Sequence, residues 1–227
     1  MNDLSGRMAE LARDLDRERG TVDTAEYVVQ AALETIPSCA GAGLTLVRRD
    51  GSFETVAATN DAVRKGDRLQ YELGEGPCVQ AIRDDAVIHS YDLRADDRWP
   101  QWVAQVVPSI GARSMLAVRL WTRREDLGAL NLYSSVVGGF DHDEREAALT
   151  LAAHAAVALA ASTDVDEMHA AMDRRTRIGA AIGIVMERHG LTQPVAFEVL
   201  RRLSQEQNRK LHEVAGDIVE GGRSTAG

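Results

Sequence analysis

Three groups of residues in this 227-residue chain are of types that could do chemistry. Cys78 follows Gly74-Glu75-Gly76-Pro77, which reads as a turn opening a helix with proline at a favoured early position. A thiol at a helix N-terminus ionises more readily, so a redox-sensing or nucleophilic Cys78 with His89 as partner is one expectation. A buried structural cysteine is the other. Trp99, Trp102, Ser114, Asn131 and Tyr133, together with Cys78, supply the apolar walls and few polar groups that line small-molecule cavities. The competing expectation for the two tryptophans is that they pack a helix onto a sheet. The third group is basic: between Arg174 and Lys210 there are eight Arg or Lys against three Asp or Glu, a local charge of +5.

Composition limits what these groups can mean. With 44% hydrophobic and 27% charged residues the chain folds rather than staying disordered. Its net charge of −9 argues against general nucleic-acid affinity, yet residues 166–227 balance nine basic against nine acidic groups, so residues 1–165 carry the whole deficit. Cys39 and Cys78 form neither a metal spacing nor a disulfide framework. No metal is expected, and a lone His89 or His154 is a weak basis for haem, so the cofactor is left unknown. The N-terminal stretch lacks the apolar run of a secretory signal, and no 18-residue apolar run appears, so the expected location is the cytoplasm with no membrane partner.

These groups need elements to hold them. Residues 1–20 read as a charged leader, with Leu4, Met8, Leu11 and Leu15 at helical spacing. Thr21 to Ile36 reads as a helix stopped by Pro37. Alternating residues on both sides of Asp50-Gly51 read as a hairpin, and a second strand pair flanks Arg123 to Asp126. Between the pairs lie a turn, a short helix, one more strand and a helix around Trp99. This order predicts an α+β fold, an antiparallel sheet of about five strands covered by helices.

From Asp141 to Ile178 there is neither Pro nor Gly. Residues 147–161 hold nine alanines in a helix apolar on more than one side, which predicts a homodimer; Ser162-Thr163-Asp164 could instead cap a new helix. Three helices are read beyond it. The first spans about Val165 to His189 with Gly190 as its stop. Thr192 caps the second, with Phe197, Leu200 and Leu203 buried. Asn208 caps the third, which ends at Gly221-Gly222.

The run Arg177 to Val219 resembles the ANTAR domain of bacterial antitermination regulators. The features that carry the resemblance are Gly183 to Arg188, Ala196-Phe197, Leu200-Arg201 with Ser204, Asn208, Lys210-Leu211 and Val214-Ala215. Residues 22–161 resemble a GAF sensor domain through "GEGPCVQAI" (74–82), "DLRADDRWPQW" (92–102) and "LGALNLY" (127–133). The resemblance implies a GAF-like sheet domain, then a long helix and a C-terminal three-helix ANTAR-like bundle. The expected divisions are leader 1–20, sensor 21–161, RNA-binding helical domain 162–222 and tail 223–227.

The implied function is a non-enzymatic, signal-responsive antiterminator that binds stem-loops in nascent leader transcripts, dimerises and answers to a small-molecule signal. A protein-interaction adaptor is the alternative, and a thiol-dependent GAF-type reductase using Cys78 is a further one. For the RNA, the expected contacts are Arg188, Arg201, Arg202, Arg209 and Lys210 on phosphates, with Ser204 and Asn208 reaching bases or riboses. Ile182 stands where many ANTAR sequences have lysine. Phe197 is expected in the core, which would leave stacking to arginine. Gly179 and Gly183 each cost helix stability of roughly 1 kcal/mol, and the expected return is close packing in the bundle or across a dimer.

Overall fold

The computed structural model describes residues 20–123 and 125–223, with Gly6 and residues 13–15. The spacing read for Leu4, Met8 and Leu11, and the tail beyond Arg223, lie outside the described residues. Contacts divide the chain into two compact units, Met1–Asp164 and Val165–Gly227.

The first unit begins with α1 (Thr21–Thr35), followed by β1 (Gly41–Val47) and β2 (Phe53–Ala58). Then come α2 (Asp61–Leu73), α3 (Pro77–Arg83), β3 (Val87–Ser90) and α4 (Pro100–Ile110). The strands β4 (Ser114–Trp121) and β5 (Asp126–Ser134) lead into α5 (His142–His189). The five strands form one antiparallel sheet in the order β2-β1-β5-β4-β3.

Side chains alternate across this sheet, as the pleat requires. Leu116, Val118 and Leu120 of β4 and Leu130 and Leu132 of β5 join Ala25, Val28, Val29 and Ala32 of α1 in one core layer. Those α1 positions follow i, i+3, i+4, i+7, one helix face. Ala147, Ala148, Leu151, Ala155 and Leu159 of α5 complete the layer. Met115, Ala117 and Tyr133 point the other way, towards Val63 of α2, Ala81 of α3 and Trp102 and Val106 of α4.

Ser162 does not break α5, which runs unbroken for 48 residues; its hydroxyl donates to the Leu159 carbonyl at 3.1 Å. By length and composition α5 could cross a membrane. Its buried alanine face already covers the sheet, which marks it as a core helix. Leu149 and Val157 lie on its exposed side.

The second unit holds the end of α5, α6 (Gln193–Glu206) and α7 (Leu211–Arg223). Its core is Ala181, Ile182, Val185, Ala196, Leu200, Val214 and Ala215. Gly190 stops α5 with φ +63°, and the Leu191 amide returns to the Met186 carbonyl, the left-handed cap that glycine accepts without penalty.

Several expectations need correction here. Thr192 precedes α6 but makes no side-chain cap. Asn208 does not cap α7; it takes φ +49° in the connection, a conformation asparagine tolerates, and Lys210 supplies the carbonyl that starts α7. Helix α7 runs through Gly221-Gly222 to Arg223. Phe197 is 38% exposed. Finally, a Cβ on Gly179 or Gly183 would meet nothing within 4 Å, so neither glycine serves packing inside the bundle.

Candidate ligand and nucleic-acid sites

The sheet face under α2 and α3 carries a polar cluster where an apolar core would be expected. Asn131 of β5 sits opposite Gly43 of β1 and Ala117 of β4, both too small to cover it. Over Gly43 lies the Asp67 carboxylate of α2, so close that a Cβ at 43 would come within 2.3 Å of Oδ2. Glycine at 43 is therefore what admits an acid to this layer.

Asp67 Oδ1 accepts from the Tyr133 hydroxyl at 2.6 Å, from Asn131 Nδ2 at 3.1 Å and from Gln70 Nε2 at 3.4 Å. Asn131 Nδ2 also donates to Thr45 Oγ1 at 3.1 Å, and Thr45 shares a 2.6 Å hydrogen bond with the Tyr71 hydroxyl. Gln70 Oε1 accepts the Cys78 amide at 2.7 Å, which ties α2 to the start of α3. The Cys78 thiol donates to Thr45 Oγ1 at 3.5 Å. One network thus joins β1, β5, α2 and α3.

Two buried acceptors in it have no donor among the described residues, Asp67 Oδ2 and Asn131 Oδ1. Burial pushes the Asp67 carboxyl up to about 7, against the pull of the Tyr133 and Asn131 donors. Burial also pushes the Cys78 thiol up to about 12, with the nearby Asp67 charge adding to it. Burial thus works against the expected helix-terminus activation of Cys78, and the thiol is enclosed.

His89 does not serve Cys78 either. It lies on the opposite face of the sheet, edge-on to Phe140 with ring centroids 6.3 Å apart, while its neighbour Ile88 faces α3 and α4. Ser114 is on that opposite face too, donating to the Val136 carbonyl at 2.8 Å and accepting the Gly139 amide at 3.1 Å. It closes a loop and is no part of the polar cluster.

Trp99 and Trp102 meet edge to face at 6.4 Å, and Trp102 Nε1 donates to the Gly66 carbonyl at 2.9 Å, fastening α4 to α2. Of the six ligand candidates, the structure brings together Cys78, Asn131 and Tyr133. Sequence reasoning missed Asp67, Gln70, Tyr71 and Thr45.

Beside the cluster is a cleft of about 420 Å3, bordered by Gly41, Val63, Ile110, Ala112 and Tyr133, with Asn60, Asp61 and Ser134 among its polar groups. Tyr133 belongs to both places: it borders the cleft and donates to Asp67.

In the second unit, cations gather along α6 and the α6–α7 connection. Arg201 pairs with Glu198 at 2.8 Å, Arg202 with Glu206 at 2.7 Å and Arg209 with Asp217 at 2.6 Å. These pairs are exposed, so each contributes little and exchanges readily for a phosphate. Ser204 donates its hydroxyl to the Arg209 carbonyl at 2.5 Å and so holds the connection. Asn208 and Lys210 are exposed beside it. Phe197 lies one turn before Arg201, which puts an exposed aromatic on the arginine-bearing side of α6.

The profile of the GAF domain matches residues 18–160 and that of the ANTAR domain residues 166–219. The chain belongs to the GAF family and carries an ANTAR domain.

Solved structures agree on the fold. The GAF domain of a phosphoenolpyruvate-protein phosphotransferase from Acinetobacter is 13% identical with a TM-score of 0.58, covering 73% of this chain and 97% of its own. That of a Coxiella burnetii phosphoenolpyruvate-protein phosphotransferase is 17% identical at 0.55, covering 71% and 95%. A free methionine-R-sulfoxide reductase from Neisseria meningitidis, solved with its substrate, is 16% identical at 0.53, covering 71% and 90%. No curated protein matches the chain.

This GAF–ANTAR protein has the architecture of an antitermination regulator. ANTAR domains bind RNA hairpins, and the GAF domain is a signal-sensing fold. The family also accounts for the placement of the charge: the basic stretch lies inside the ANTAR domain, while the acidic surplus lies before it.

Proposed function

We propose that this protein is a dimeric antiterminator that binds stem-loops in nascent leader transcripts through residues 162–222 and answers to a small molecule bound in residues 21–161. The cytoplasm, where transcription takes place, is its expected location. The observation that carries the RNA reading is the exposed cationic edge of α6 and the α6–α7 connection within an ANTAR domain.

Arg188, Arg201, Arg202, Arg209 and Lys210 contact phosphate in this reading. Asn208 offers its side-chain amide, and Ser204 positions the connection rather than reading a base. Phe197 adds a stacking surface that every base can use.

Dimerisation rests on the outward face of α5 in the second unit. Val165, Met168 and Met172 follow i, i+3, i+7, and the two methionines are 56% and 60% exposed. Gly179 and Gly183 continue the same side, bare of side chains and bare of neighbours. That spacing presents an apolar seam to a second helix, and the glycines let the two backbones approach.

Thiol catalysis finds no support in the site. Cys78 and Cys39 are both buried, both are pushed up to about 12 by burial, and they belong to different layers of the GAF domain.

The test is charge reversal of Arg201 and Lys210 together, read by filter binding of a stem-loop RNA at fixed moderate salt. Binding is lost in the double variant at that salt, because phosphate contacts are removed. Unchanged affinity in a folded variant refutes the reading.

A further inference from the structure

Helix α6 ends in two reversed hydrogen bonds: the Asn208 amide donates to the Gln205 carbonyl at 3.2 Å and the Arg209 amide to the Ser204 carbonyl at 3.0 Å. This pair of bonds puts residue 208 in the left-handed conformation, here with φ +49°. Three other helices close on a left-handed residue, and each uses glycine: Gly74 after α2 at +68°, Gly111 after α4 at +67° and Gly190 after α5 at +63°. Among the described residues Asn208 is the one non-glycine with positive φ. Glycine takes this conformation freely, whereas a Cβ costs free energy there. The chain thus keeps an amide side chain at a position where its other helix ends carry none.

The backbone that presents this amide is held on its far side. Ser204 Oγ donates to the Arg209 carbonyl at 2.5 Å, so both backbone groups of Arg209 are engaged by Ser204, and Arg209 Nη1 donates to Asp217 of α7 at 2.6 Å. The Asn208 side chain is itself exposed and makes no hydrogen bond among the described residues. Arg209 and Lys210 follow it directly. A fixed backbone therefore sets a free donor and acceptor beside two cations.

We infer that Asn208 is the specificity-determining residue of the ANTAR domain, its amide hydrogen-bonding the edge of one unpaired base in the loop of the RNA. The inference deepens the RNA reading proposed above and rests on it. The other groups along this edge do not carry the same information. Arginine and lysine held against phosphate position the RNA without reading it, the Ser204 hydroxyl is engaged by the connection, and a ring such as Phe197 stacks on any base. The bases of a paired RNA stem are turned into a deep, narrow groove, so sequence is read where the strand is unpaired. An asparagine amide has N–H donors beside a carbonyl acceptor and pairs with a base edge through both. Gln205 and Gln207 carry the same amide and are exposed as well, but on longer side chains with more rotamer freedom to lose.

The experiment uses the full-length protein and a pool of RNA hairpins that share one fixed stem and carry a fully randomised loop. The bound fraction is sequenced at fixed moderate salt. The wild-type protein prefers one base at one loop position by about tenfold over the others. Asn208→Gly loses that preference, still binds the pool with the wild-type salt dependence, and melts no lower than the wild type, because glycine suits the left-handed position. The double variant Gln205→Ala, Gln207→Ala keeps the preference. A preference that survives in Asn208→Gly, or that disappears in the glutamine variant instead, overturns the inference. So does a loss in Asn208→Gly that comes with a lower melting temperature, since the side chain would then be structural. Wild-type protein that holds hairpins without any loop preference overturns the inference alone, whereas wild-type protein that holds no hairpin overturns the RNA reading and the inference with it.

Discussion

The Tyr133 hydroxyl donates to Asp67 Oδ1 at 2.6 Å across 66 positions of sequence, tying the central strand β5 to helix α2. This bond fixes the orientation of the carboxylate so that one oxygen is fully engaged and the other is left against Gly43. It also sets Tyr133 between two environments, the cluster and the cleft. A GAF domain built this way has a hydrogen-bonded tie between sheet and helix where a wholly apolar core would have only packing.

Asp67 should make stability depend on pH. Its carboxyl is pushed up to about 7 by burial, above the unfolded value of about 3.9. A raised folded value means that the folded state holds the proton more tightly. The stabilisation is complete below about pH 4 and is lost as pH rises through about 7. Relative to Asp67→Asn, the wild-type protein should lose up to about 1.4 kcal/mol per pH unit between those limits. Urea unfolding of both proteins from pH 5 to 8 measures this. A stability difference that does not change with pH would show that Asp67 is not the group that titrates.

Neither thiol should react in the native protein. Burial pushes Cys39 and Cys78 up to about 12, and both are enclosed. With an aromatic disulfide reagent at pH 8, modification should be slow without denaturant and reach two thiols per chain in guanidinium. Cys78→Ser should keep stem-loop affinity within about twofold, a difference of under about 0.5 kcal/mol. Fast native modification of Cys78 would restore the redox-sensor reading.

Much of this fold was legible because most elements bury apolar faces. The i, i+3, i+4, i+7 pattern of α1, the alternation in β4 and β5 and the spacing in α7 are all read directly from residue type. Helix α2 was not. Its inward positions put Gly66, Asp67 and Gln70 among Val63, Leu69 and Leu73, so polar residues interrupt the short apolar stripe that would have marked it. The signals that remained were Asn60, whose Oδ1 accepts the Val63 amide at 2.9 Å, and Gly74 at the C-terminal end with φ +68°. Missing α2 meant missing the centre of the candidate site. Ser114 failed for a different reason: its type suited a ligand, but one step of strand register put it on the other face.

Phe197 should contribute to RNA binding. Its 38% exposure on the side of α6 that carries Arg201 leaves part of the ring for stacking. Base stacking on an aromatic is worth about 1–3 kcal/mol per base, so Phe197→Ala should weaken stem-loop binding by about fivefold or more. Phe197→Tyr should retain it, and neither change should alter the salt dependence, since no phosphate contact is removed. Stem-loop titration at two salt concentrations separates this from the arginine contacts. A Phe197→Ala protein that melts normally and binds normally would return Phe197 to a packing role.

Gly179 and Gly183 give the sharpest test of the dimer. Each is exposed and a Cβ at either position would meet nothing within 4 Å among the described residues, so alanine at either should not disturb the bundle. Removing the helix cost of glycine should raise the stability of the folded unit by about 0.5–1 kcal/mol. Leucine at 183 has room in the monomer as well, but on a seam of close backbone approach it would hold two helices apart. Gly183→Leu should therefore keep its helical circular dichroism and raise the dimer dissociation constant by about tenfold, or about 1.4 kcal/mol. Sedimentation across a range of protein concentrations reads the second quantity independently of the first. Loss of helix in Gly183→Leu would mean that the bundle needs the glycine, whereas unchanged association with intact helix would place the dimer contact elsewhere on the chain.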